Sequence, residues 1–115
     1  MSTAETRFSL KRDVQSIEQV LIQALVAAGW KSSLMKRNKI TTQSVAKTVS
    51  AGGVSFIGNF SAISTWDQRQ DRTDVLVVVS ERASFAPALS STCADYCNAI
   101  VAAIPENCLL VPGRN

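Results

Sequence analysis

The stretch "TDVLVVVS", Thr73 to Ser80, decides how the chain is read. Its centre is apolar at successive positions and β-branched almost throughout, which describes a strand and not a helix turn. A strand apolar on both faces calls for cover on both sides. Upstream lies a polar connection, Trp66 to Arg72, and before that two further runs of strand character, near 40–50 and 54–64, separated by Ser50-Ala51-Gly52-Gly53. Paired glycines supply the positive φ angles of a tight hairpin turn. In the second run Val54, Phe56 and Phe60 share a face with Gly58 and Ala62, so the phenylalanine side is expected to meet the core.

Two helices frame these strands. Leu10, Val14, Ile17, Leu21, Ala24, Leu25 and Ala28 recur at spacings of three and four, with Ser9 placed to cap the start and Gly29 the end. After the third strand, Ser84 or a neighbour opens a second helix, in which Pro87 fits the first turn; Pro105 lies beyond its end. Cys108 to Val111 has room to add a short fourth strand before Pro112-Gly113. The expected fold is therefore α+β and two-layered, a helix, a three-strand antiparallel meander and a helix, with that short C-terminal strand as an extra. At 115 residues, 46% hydrophobic and 18% charged, the chain is expected to form a single domain, 1–115, able to close its own core.

Several chemistries are improbable. The chain has no histidine, which removes Ser-His and Cys-His nucleophiles and the commonest general base. Cys93 and Cys97 sit four apart, and Phe85, Leu89, Cys93, Tyr96, Cys97, Ile100 and Ile104 fall on one side of the second helix, so both thiols read as core residues. With Cys108 the only further cysteine, a zinc site lacks ligands. Asp67, Asp71 and Asp74 interleave with Arg69 and Arg72 and lack the glycine and terminal glutamate of a calcium loop. Gly52, Gly53 and Gly58 match no phosphate-binding pattern. No enzyme, cofactor or metal is expected. Three cysteines at no framework spacing suit a reducing cytoplasm, and neither a signal sequence nor a membrane span is expected.

What remains is association. No acidic residue occurs between Glu18 and Asp67, whereas Lys31, Lys36, Arg37, Lys39 and Lys47 do, so this segment is the candidate contact for an anionic partner, nucleic acid or an acidic protein surface. Trp30 beside it suits a core plug better than a base-stacking platform. Hairpin connections alone would leave the third strand at an edge, exposing Val75, Val77 and Val79. Val20, Ile22 and Val26 fall off the apolar stripe of the first helix. These six residues are the candidates for self-association, and a homo-oligomeric, non-catalytic structural or assembly subunit is the leading expectation, with a nucleic-acid-binding module as the alternative. The order of helix, β meander and helix is similar to that of small virion assembly proteins of tailed phages, such as tail-terminator or connector subunits. That likeness, one of topology alone, would imply a virion location.

Overall fold

In the computed structural model, which describes residues 2–51, 53–82 and 90–110, the chain begins with a strand. β1 (Ser2–Lys11) turns Ala4, Thr6, Phe8 and Leu10 to one side and Glu5, Arg7 and Lys11 to the other. It is followed by α1 (Ile17–Ala27), β2 (Ser32–Lys36), β3 (Lys39–Thr42), β4 (Val45–Ala51), β5 (Val54–Gln68), β6 (Arg72–Glu81), α2 (Ser90–Ala102) and β7 (Leu109–Leu110). All strand pairs are antiparallel, in the order β2-β3-β5-β6-β1-β7, with β4 also beside β5.

β5 is the spine of this sheet. One of its sides is shared in succession by β4, from Ala51↔Val54 to Val45↔Phe60, and by β3, from Thr41↔Ile63 to Lys39↔Thr65. Between those two partners the ladder is broken, and the Thr42 hydroxyl takes over by accepting the buried Ala62 N–H at 2.8 Å. The other side pairs β6 from Phe60↔Glu81 to Gln68↔Thr73. Near its start β5 needs a glycine, because a Cβ on Gly58 would stand 2.8 Å from the Phe60 ring.

Both helices cover one face. Ile17, Leu21, Ala24 and Leu25 from α1 and Cys93, Cys97 and Ile100 from α2 join Leu10, Ile40, Phe60, Ala62, Trp66, Val75, Val77 and Val79 in a single core. Tyr96 stacks edge-on against both Trp30 and Phe60, with centroids 5.9 and 5.0 Å away.

The expected three-strand meander between two helices is thus corrected. The protein is mostly antiparallel sheet, and its element order is not the one on which the likeness to phage assembly proteins rested. Leu10 belongs to β1, and α1 starts later, where Ser16 caps it by accepting the Gln19 N–H at 3.2 Å. The run read as one strand over 40–50 is two strands, and β2 was not anticipated. Trp66 is buried inside β5, which leaves Arg69 to Asp71 as the turn. The helix start at Ser84, Pro87 within it, Gly52 and the tail from Val111 lie outside the described residues.

Candidate interaction surfaces

The face of the sheet opposite the helices has no cover among the described residues, and the strand register lays its side chains out in rows. One row runs Leu34–Thr41–Ile63–Val78–Glu5 across five strands. Its middle is apolar and half-buried by its neighbours, and Leu34 at its end is 49% exposed. The next row runs Lys36–Lys39–Thr65–Leu76–Arg7, with one apolar residue, Leu76, and cations at both ends. Past the body of the sheet, on the β4–β5 hairpin, Ile57 is exposed on this same face and Val54 on the other.

Beyond those rows lies a charged end. Asp74 accepts from the Ser9 hydroxyl and the Arg72 Nε, each at 2.8 Å, and from Arg69 Nε at 3.4 Å. The Ser9 hydrogen bond and then the Arg72 one hold its carboxyl below the usual carboxylate range. Arg72 also reaches Asp71 at 3.1 Å, and Arg69 reaches Asp67 at 3.4 Å. Asp67, Asp71 and Asp74, which interleave with the arginines in sequence, are therefore each met by one in space. A trough of about 760 Å³ opens at this end, lined in part by Arg7, Ser9, Thr65, Leu76, Val101 and Leu109.

Of the five basic residues singled out, three come together. Lys36 and Lys39 face each other across the β2–β3 turn, which Arg37 and Asn38 form, with Asn38 at φ 59. All are exposed, and no carboxylate lies within ion-pair distance of these three cations among the described residues. Lys31 stands at the far end of β2. Lys47 stands apart on β4, its Nζ 5.2 Å from the Tyr96 ring centre. Trp30 is 3% exposed and cannot stack on a base.

The apolar candidates divide as well. Val75, Val77 and Val79 are core residues and not edge residues, because β1 pairs with β6 along its whole length, from Ser2↔Glu81 to Lys11↔Arg72. Val20 and Ile22 pack against the core, while Val26 is 59% exposed. The edges lie elsewhere. Among the described residues, β1 carries a strand on its outer side only at Ser9 and Leu10, where β7 pairs. Glu5, Arg7, Leu34, Ile63 and Val78 were missed by sequence reasoning, although the alternation from Ala4 to Lys11 was there to be read.

Burial pushes the Cys93 and Cys97 thiols up, and the Tyr96 hydroxyl with them. Among the described residues no three Cys, Asp or Glu side chains converge as metal ligands, and no helix is long and apolar enough to cross a membrane. The sequence matches no protein-family model and no characterised protein at a significant level.

Proposed function

We propose that the chain is a self-associating structural subunit. One observation carries this reading: among the described residues the sheet is covered on a single face, and its open face holds a row in which Leu34, Ile63 and Val78 are interrupted only by Thr41. A row of that kind, with Ile57 exposed further along the same face of β5, is surface that further copies would bury. The reading predicts a species larger than one chain at micromolar concentration in sedimentation, at low and at high salt alike, since apolar association does not weaken with salt. A clean monomer at both salts would overturn it.

A second reading has an observation of its own. Lys36, Arg37 and Lys39 concentrate positive charge on one hairpin tip, which suits a phosphate backbone or an acidic protein surface. Binding of a nucleic-acid oligomer in the same sedimentation runs, lost at high salt and lost in a Lys36→Glu/Arg37→Glu/Lys39→Glu variant of unchanged thermal midpoint, supports it. Normal binding by that variant would exclude the tip as the contact.

A further inference from the structure

We infer that two copies join through the open edge of β1, strand to strand and antiparallel, about a two-fold axis at Glu5. The inference rests on the self-association reading and adds to it an edge contact that leaves the open-face row free for further copies.

The register follows from the edge itself. From Thr3 to Phe8 no strand lies on the outer side of β1 among the described residues, and at Ser9 and Leu10 that place is held by β7. In a symmetric antiparallel pair only residues of like facing direction stand opposite each other, so the axis must pass through a residue. Centred on Thr6, the partner's Thr3 would take the place of β7 beside Ser9. Centred on Glu5, Thr3 meets the partner's Arg7, Ala4 meets the partner's Thr6, and no described residue takes the place of β7; a centre at Ala4 clears β7 too, but sets Glu5 opposite the partner's Thr3 and out of diagonal reach of its Arg7.

Charge and helix geometry agree with this register. The two Glu5 carboxylates would face each other, which alone is unfavourable. Each already has Arg7 of its own strand at 3.6 Å, and the partner's Arg7 comes within diagonal reach, so the four charges alternate and sum to zero. Over the other face, Cys97 Sγ stands 3.5 Å from the Ala4 carbonyl oxygen and also within reach of the Val79 N–H, so α2 lies above the gap between β1 and β6. Its copy would then run antiparallel to it at about two strand spacings, roughly 10 Å, which is the distance of packed helices. Tyr96 turns toward Phe60 on the inner flank, so the 100° step of a helix puts Ala94, Asn98 and Val101 on the flank facing the edge, small enough for that approach.

The test uses the full chain with Cys108→Ser, leaving the buried Cys93 and Cys97 in place, and adds Glu5→Cys. Mild oxidation should link Glu5→Cys copies to each other, while Lys11→Cys copies stay unlinked. In sedimentation Arg7→Glu should raise the dissociation constant about tenfold or more, because it leaves the central carboxylates uncompensated. If the wild type is monomeric, the self-association reading falls and this contact with it. If the wild type associates while Glu5→Cys copies stay unlinked, or Arg7→Glu associates as tightly as wild type, this contact alone is overturned.

Discussion

The two faces of the sheet are made from the same strands, residue by residue, yet they obey different rules. On β6, Val77 is fully buried beneath the helices, and Val78, the next residue, lies half-exposed on the open face between Ile63 and Glu5. The covered face is closed, and on it Glu81 accepts the Asn59 N–H at 3.1 Å, while the buried Ser64 hydroxyl has no hydrogen-bond partner among the described residues. On the open face the polar and apolar residues lie in mixed rows, suited to water or to another chain. Hydrophobicity alone does not distinguish these two valines. The layer above each one does.

The largest effect sharpens that comparison at its narrowest point. Val77→Lys would bury an ammonium among the apolar residues beneath the helices and should cost at least about 4 kcal/mol, enough to unfold a domain of ordinary stability. Val78→Lys, a single residue on, would place the same group opposite Glu5 and should change stability by less than about 1 kcal/mol. Urea unfolding of both variants decides the matter. Similar midpoints would mean that the two faces are not different in kind.

How much of this was legible in the sequence follows the same division. β6 and the inward side of α2 were readable, because Thr73 to Ser80 and the run through Cys93, Cys97 and Ile100 carry their pattern within a few residues. β1 was not, since Leu10 fits both a period of two with Ala4, Thr6 and Phe8 and a period of 3.6 with Val14 and Ile17, and the longer stripe was preferred. With the chain from Leu10 onward taken as helix, β6 had no second neighbour and looked like an edge. The pairing Phe8↔Val75 joins residues far apart in the chain, and no local pattern announces it. The basic cluster was half legible: the charge count pointed to the segment, but only the turn at Arg37-Asn38 separates Lys36 and Lys39 from Lys47.

A smaller effect is expected where α2 closes the covered face. Cys93 and Cys97 are 0% and 1% exposed, and their thiols lie 3.8 Å and 3.5 Å from the Ser2 and Ala4 carbonyl oxygens. Cys93→Ser should cost about 1–3 kcal/mol by placing a hydroxyl in an apolar site. In the native protein the half-buried Cys108 should react with a water-soluble thiol reagent well ahead of the other two. Rapid native labelling of all three would show that α2 does not seal this face.

The smallest effect is a difference between the faces in their response to pH. On the open face Asp74 has its carboxyl lowered by Ser9 and Arg72, so its contribution is present above the unfolded carboxylate pKa and is lost as pH falls through the folded one. On the covered face Cys93, Cys97 and Tyr96 are raised by burial, so the fold holds protons that the unfolded chain gives up. Their contribution is complete below the unfolded thiol and phenol values and is lost as pH rises through the folded ones. The thermal midpoint should therefore decline at both ends of the pH range for reasons on opposite sides of the sheet. Asp74→Asn should flatten only the acid limb, and Cys93→Ala with Cys97→Ala only the alkaline limb, whatever each costs at neutral pH. An Asp74→Asn variant as acid-sensitive as the wild type would remove Asp74 from the account, and the charged end would then count as solvated surface.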